Sequence, residues 1–242
     1  MKVINDLLGY DDLKIVQNPE WFSFSLDSVL LPNFVTLNKD VKNILDLGTG
    51  NAPIPMILST LTEKANIYAI EIQKDVYEMA KESIEINKLE SRIKLINDDM
   101  KKLDQYFEAN FFDVIVSNPP YFKLEELSKK NMDEHKTIAR HEEKINLAEL
   151  VAIAKKYLNN NGVFAMVHRT DRLIEIIEEM RKNNIEPKKI QLIYPKKNTN
   201  SNMVLIEGKK NGKPGLIIKE PLFVHDENGE YLEEINKLFF RR

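Results

Sequence analysis

Short apolar runs alternate with longer amphipathic stretches from about residue 43 onward, and the pattern predicts strands alternating with helices. Asn43-Ile44-Leu45-Asp46-Leu47 reads as the first clear strand, with an apolar helix over residues 53–61. Residues 66–71 form the second strand. The helix over 75–88 carries Val76, Met79, Ala80, Ser83, Ile84 and Asn87 at i, i+3, i+4, i+7 spacing, the stripe of a core-facing helix. Residues 92–96 and 112–116 are the third and fourth strands. A helix over 146–158 follows, with Asn146 as cap and Asn161-Gly162 as exit, then a fifth strand over 163–167. Thr170-Asp171 starts a helix carrying Leu173, Ile176, Ile177 and Met180. Residues 189–194 and 203–207 are two further strands. Leu216-Ile217-Ile218 and Leu222-Phe223-Val224 suggest a peripheral strand or arm, and 231–240 a terminal helix.

The first 40 residues are less regular. Ile15-Val16-Gln17 is a short extended piece stopped by Pro19. Trp21-Phe22-Ser23-Phe24 alternates like a strand or hairpin arm. Residues 25–31 read as a helix capped by Ser25 or Asp27. Ser23, Ser25 and Asp27 among these aromatics border a ligand or are caps. Nothing repeats and no linker appears, so the chain reads as a single domain.

Composition narrows the class. The 242 residues are 43% apolar and 30% charged, the make-up of an ordinary globular protein. The absence of cysteine excludes disulfides, thiolate metal sites and cysteine nucleophiles. Met1-Lys2-Val3-Ile4-Asn5-Asp6 lacks the apolar core of a signal peptide, and no apolar run nears the ~18–20 residues that cross a bilayer, so a cytoplasmic protein without membrane contact follows by default. The formal net charge of −3 leaves no global basic footprint; any nucleic acid must meet a local patch. The histidines at 135, 141, 168 and 225 lack metal-ligand spacing, and no Ser-centred nucleophile elbow occurs. Neither a metal enzyme nor a triad hydrolase is expected.

Four features carry the chemistry. Gly48-Thr49-Gly50 joins strand to helix, where glycines let a ligand approach the backbone beside a helix N-terminus. Pro53 stands where a dinucleotide fingerprint has its third glycine, which counts against a pyrophosphate ligand and a nicotinamide enzyme. Glu71 lies about 20 residues past the glycine loop, where open α/β folds hold a ribose diol. Asp98-Asp99-Met100 follows the third strand; either Asp suits an exocyclic amine or a helix cap. Asn118-Pro119-Pro120-Tyr121 follows the fourth. Its prolines stiffen the exit, and Asn118 Oδ1 with the Pro119 carbonyl offers two acceptors for a planar amine beside the Tyr121 ring. A Pro-Pro turn after a core strand accounts for those four residues equally well. The polar stretch 122–145 holds Lys129, Lys130, Lys136, Arg140 and His141, diluted by six acidic residues: a binding loop or a solvated one.

Taken together, these features resemble a class I S-adenosylmethionine-dependent methyltransferase over about residues 40–207. The resemblance implies a three-layer, Rossmann-like α/β fold with a seven-stranded sheet whose last strand is antiparallel. It implies residues 1–40 as an extension over the cofactor site, 41–208 as the core and 209–242 as a C-terminal arm. S-adenosylmethionine would meet Asp46, Gly48, Gly50, Glu71, Ile72, Asp99, Met100 and Asn118. The Asn-Pro-Pro-Tyr motif marks members that methylate a planar nitrogen: adenine N6, guanine N2 or glutamine N5. The stretches 24–31 and 139–142, Glu220-Pro221-Leu222 and Gly229-Glu230-Tyr231 are similar to the bacterial family acting on adenine N6 beside the anticodon of valine tRNA. That likeness implies a tRNA partner, with Asn118, Pro119 and Tyr121 as catalytic residues. Pro120, Phe122, Lys129, Lys130, Lys136 and Arg140 would meet the RNA. Asn51-Ala52-Pro53 departs from the usual Gly-rich continuation of the cofactor loop. The alternatives are an rRNA or release-factor substrate, or a binding protein without turnover.

Overall fold

The computed structural model describes residues 2–7, 10–19, 26–119 and 146–239. The chain opens on an antiparallel hairpin, β1 (Val3–Leu7) against β2 (Tyr10–Gln17), and helix α1 (Leu26–Phe34). The core then runs β3 (Asn43–Leu47), α2 (Pro53–Leu61), β4 (Asn66–Ile70), α3 (Lys74–Ile86) and β5 (Ile93–Ile96). A 3-10 turn (Met100–Gln105) leads to β6 (Phe112–Ser117). Helix α4 (Leu147–Tyr157), β7 (Leu158–Arg169), α5 (Leu173–Lys182), β8 (Ile185–Lys196) and β9 (Met203–Lys210) complete the core. Short strands β10 (Ile217–Ile218) and β11 (Leu222–His225) and helix α6 (Glu233–Phe239) end it.

The sheet order is β10-β8-β9-β7-β6-β3-β4-β5, and β11 also pairs with β8. Strand β9 runs antiparallel to β7 and β8, and the remaining pairs are parallel. The expected seven strands with the last antiparallel are therefore present, extended by β10 and β11 at the β8 edge. The chain leaves β3 towards β4 and β5, then returns to β6 and proceeds the other way. The reversal opens a crevice at the strand carboxyl ends between β3 and β6, the place where open α/β sheets bind ligands.

Each face of the sheet has its own core. Ile44, Ile67, Val114, Ala165 and Leu205 face α1, α2, α3 and the hairpin. Leu45, Leu47, Tyr68, Ile115, Phe164 and Ile206 face α4 and α5. This alternation follows from the period-2 strand; each fully buried Ile or Leu stabilises by ~1.5–3 kcal/mol.

Two local expectations are corrected. Helix α4 stops at Tyr157 because Leu158, fully buried, turns extended at once and pairs with Phe112. Asn161-Gly162 is thus no helix exit: it lies in a bulge of β7, with Asn161 at φ 64°. Helix α3 ends at Ile86, short of the expected Lys88, which is left-handed at φ 57°. Its stripe is also not wholly apolar in purpose. Ser83 Oγ accepts from Val16 N at 2.9 Å, and Asn87 exchanges hydrogen bonds with the Lys14 backbone at 2.6 and 2.8 Å. The stripe's polar members hold β2 against α3.

Candidate active site at the carboxyl edge of the sheet

The loop after β3 is bent by three left-handed residues: Gly48 at φ 73°, Gly50 at φ 60° and Ala52 at φ 69°. Gly48 N and Thr49 N both donate to Ile70 O at 3.0 Å, which ties the loop to the end of β4. A Cβ built on Gly50 meets nothing within 4 Å, so the loop faces open space there. Pro53 and Pro55 fit the first turn of α2, where backbone N–H groups have no helical partner.

Glu71 is buried and organises this half of the site. Its Oε2 accepts from Gly50 N at 3.0 Å and its Oε1 from Gln73 N at 2.9 Å, while Asn97 Nδ2 donates to its backbone carbonyl at 2.8 Å. A carboxylate has about four acceptor positions, so one side chain can bond several donors at once. Ile72 follows, half-buried. Asp46, on the neighbouring strand β3, is fully buried, and among the described residues neither of its carboxylate oxygens has a hydrogen-bond partner. Burial pushes it from 3.8 up to about 7; the nearby Thr49 hydroxyl lowers it without reaching hydrogen-bond geometry, and the charge of Glu71 raises it further. A buried carboxylate left in this state is an acceptor waiting for a donor or a cation.

The two aspartates after β5 are separated by their partners. Asp98 Oδ1 accepts from Asp99 N at 2.8 Å and Lys102 Nζ at 2.9 Å, and its Oδ2 accepts from Tyr106 Oη at 2.9 Å. Asp99 caps the 3-10 turn through one oxygen, which accepts from Lys101 N at 2.9 Å. Met100 lies against the glycine loop: its Cε is 3.7 Å from a Cβ built on Gly48.

Beyond β6, Asn118 and Pro119 are half-buried. Ser117 Oγ donates to Leu47 O at 2.9 Å, so the exits of β6 and β3 are joined. Asn118 Nδ2 donates to Ser28 Oγ at 3.3 Å. Ser28 comes from α1, where Pro32 removes the N–H that would bond the Ser28 carbonyl. The far end of α1 is clamped: Thr36 N and Oγ1 donate to Glu207 at 2.7 and 2.8 Å, and Lys189 pairs with Glu207 at 3.0 Å.

The structure thus gathers Asp46, Gly48, Gly50, Glu71, Ile72, Asp99, Met100, Asn118 and Pro119 on one edge. Pro120, Tyr121, Phe122, Lys129, Lys130, Lys136, Arg140 and His141 lie outside the described residues, as do Ser23, Ser25 and the arm over 21–24. Asp27 sits inside the first turn of α1, buried, with one oxygen accepting from Ser28 N at 3.0 Å. Sequence reasoning missed Ser28 and Asn51. Ser28 carried a signal, a small hydroxyl ahead of Val29-Leu30-Leu31 on a helix that must be buried. Asn51, whose Nδ2 donates to Val16 O at 3.0 Å, carried none, because its partner is 35 residues away. Among the described residues no group of His, Cys, Asp or Glu is arranged to hold a metal ion, and no helix is long and apolar enough to cross a membrane.

The chain is similar to known proteins over most of its length. A family model described as a methyltransferase domain matches residues 38–217. A tRNA1(Val) (adenine(37)-N6)-methyltransferase of Haemophilus influenzae is 29% identical over 235 residues, 96% of this chain and 97% of that protein. One of the same name from Pseudoalteromonas translucida is 25% identical over 177 residues, 73% of each chain. The solved structure of a predicted O-methyltransferase, Atu636 of Agrobacterium tumefaciens, superposes with a TM-score of 0.69 at 19% identity, covering 88% of this chain and 95% of that one. M. jannaschii TYW2 in complex with AdoMet gives 0.57 at 15% identity, covering 86% and 85%. At such identities the solved structures speak for the fold alone.

Proposed function

The chain belongs to the methyltransferase-domain family, and from that premise we propose that it methylates adenine N6 in tRNA, beside the anticodon of valine tRNA, in the cytoplasm. The methyl donor in this reading is S-adenosylmethionine. The observation that carries the proposal is the convergence of Asp46, Glu71, Asp99 and Asn118 at one sheet edge, in a chain related to enzymes of that activity.

Two features fit the donor. The partnerless Asp46 carboxylate suits the ammonium of an amino acid, and the open space at Gly50 admits a ligand against backbone. Glu71, at the end of β4 beside the glycine loop, accepts from the ribose hydroxyls. Asp99, with an oxygen to spare where Asp98 has used both, accepts from the exocyclic amine of the donor's adenine, and Met100 packs on that ring. When bound, the donor supplies a methyl group made electrophilic by its sulfonium.

The target amine is a poor nucleophile because its lone pair is delocalised into the ring. Asn118 Oδ1 and the Pro119 carbonyl each accept one N–H, draw the nitrogen towards tetrahedral geometry and aim its lone pair. These fixed dipoles also face the positive charge that develops on the nitrogen. No strong base is required, since the proton becomes acidic as the N–C bond forms. The rate gain is then mainly alignment, with reacting atoms about 3–3.5 Å apart. Tyr121 holds the turned-out base by stacking with Pro120 and Phe122 beside it, and Lys129, Lys130, Lys136 and Arg140 hold phosphates.

The test is methyl transfer from labelled S-adenosylmethionine to unmodified bulk tRNA, followed by nucleoside analysis. N6-methyladenosine is expected, and Asn118→Ala abolishes it with donor affinity within about twofold of the parent. No incorporation despite donor binding overturns the substrate. Equal loss of turnover and donor affinity overturns the role of Asn118.

A further inference from the structure

The carboxyl edge continues past β6 to the β8–β11 corner, which the site described above does not use. Strand β8 lies three strand spacings from β6, about 14 Å across the sheet, and runs parallel to it. On this corner Lys196 pairs in register with His225, and His225 bridges to Tyr231. Directly paired residues project to one face. The His225 and Tyr231 rings stack there, with centroids 4.9 Å apart and planes at 22°. One rung back, Tyr194 and Phe223 pair in register with centroids 5.3 Å apart. Two residues along a strand return to the same face, so all four rings and Lys196 share it.

These rings are not core. None belongs to either buried cluster; Leu222 and Val224 point the other way into the interior. Tyr231 is 40% exposed, and Lys196 and Lys197 are exposed. The lysine turn is fixed, with Thr199 Oγ1 donating to Lys196 O at 2.7 Å and Asn198 left-handed at φ 59°. Exposed Glu227 and Glu230 in the β11 turn offset the two lysines, whereas Asp226 is taken up by the N–H groups of Asn228 and Glu230. The face is therefore aromatic in character, with its exposed charges balanced. One exposed ring, Tyr231, backed by the half-buried rings of His225, Phe223 and Tyr194 and with a lysine at their margin, matches the chemistry that binds single-stranded nucleic acid by stacking.

We propose that this corner is a stacking platform for unpaired RNA bases flanking the nucleotide held at Asn118. The proposal rests on the tRNA reading and names where that RNA is gripped away from the reacting base. A loop that presents its target base at Asn118 leaves other unpaired bases exposed further along it, and the ring of Tyr231, backed by His225, stacks on one of them.

The experiment uses the full chain and fluorescently labelled unmodified tRNA, with binding followed by anisotropy across a salt series. Tyr231→Ala weakens binding about tenfold, and Tyr231→Phe restores it, because the ring and not the hydroxyl is used. Lys196→Ala with Lys197→Ala lowers the salt slope by about one unit and costs less affinity at moderate salt than loss of the ring. Thermal midpoints and S-adenosylmethionine binding check that each variant is folded. Unchanged affinity in folded Tyr231→Ala, or failure of Tyr231→Phe to restore binding, overturns the platform. Methylation by the parent protein is read separately. Parent protein that binds tRNA through Tyr231 without forming N6-methyladenosine overturns the enzymatic reading and leaves the platform standing.

Discussion

Asn118 Nδ2 donates to Ser28 Oγ at 3.3 Å, joining the β6 exit to a helix 90 residues earlier in the chain. That hydrogen bond restrains the Asn118 amide at the β6 exit. In the proposed reaction Ser28 is a positioning residue for Asn118. Ser28→Ala is expected to lower kcat about fivefold, the worth of one hydrogen bond of ~1 kcal/mol, with donor KM unchanged. Ser28→Cys, which keeps the size but weakens the hydrogen bond, falls between. Steady-state kinetics decide it, and a rise in donor KM with constant kcat counts against the role.

The contrast between Asn118 and Ser28 shows how far the sequence carries. The strands around β3, β4, β5 and β6 were legible because each is a short β-branched run ended by Gly, Pro or an acidic residue, and these exits align once the sheet is parallel. Ser28 and Asn51 were not, since their partners are set by packing across the chain. The hairpin was hidden for another reason. Strand β1 buries only Leu7 of its five residues, so it lacks alternation, and it is held by pairing with β2, itself fixed through Ser83, Asn87 and Asn51. The Asn51 departure from a Gly-rich loop is thereby explained: the side chain ties the loop to β2.

Ala52 is the other half of that departure. It is fully buried yet left-handed at φ 69°, a conformation costing about 1–2 kcal/mol for a residue with a Cβ. Ala52→Gly relieves this but loses a buried methyl worth ~0.8 kcal/mol and frees the unfolded chain, so stability stays within about 1 kcal/mol. Ala52→Val adds β-branching at a fully buried position where φ is positive, and is expected to cost more than about 2 kcal/mol. Urea midpoints of the two variants test this, and a Val variant as stable as the Gly variant contradicts it.

His168, at the carboxyl end of β7, is pushed from 6.5 down to about 4, chiefly by burial and then by the charge of Arg172. Its Nδ1 accepts from Arg169 N at 2.8 Å. The unfolded chain binds this proton more readily than the folded one, so stability rises with pH across the window from about 4 to 6.5. The contribution is complete above the upper limit and gone below the lower, on the order of 3 kcal/mol. His168→Gln is expected to flatten that slope in thermal melts recorded between those limits. An unchanged slope places the acid sensitivity elsewhere.

Asp46 has the opposite sign. Its carboxyl is raised from 3.8 to about 7, so the folded protein holds a proton that the unfolded chain has released. Stability of the ligand-free protein therefore falls as pH rises through that window and stays lowered above it. Asp46→Asn removes the liability and should stabilise the ligand-free protein at pH about 8 by a few kcal/mol. The same carboxylate is the proposed partner of the donor's ammonium, which favours its ionised form. Donor affinity is then expected to rise about tenfold per pH unit below about 7 and to level off above it, with a proton released on binding. Calorimetry in buffers of different ionisation enthalpy measures that proton directly. In Asp46→Asn the proton release and the pH slope should vanish together with most of the affinity. A slope that survives the substitution means that another group carries the linkage. Tighter folding paired with lost binding in one variant is the mark of a charge buried for a ligand: the desolvation cost that weakens the empty fold is offset only when the cation arrives.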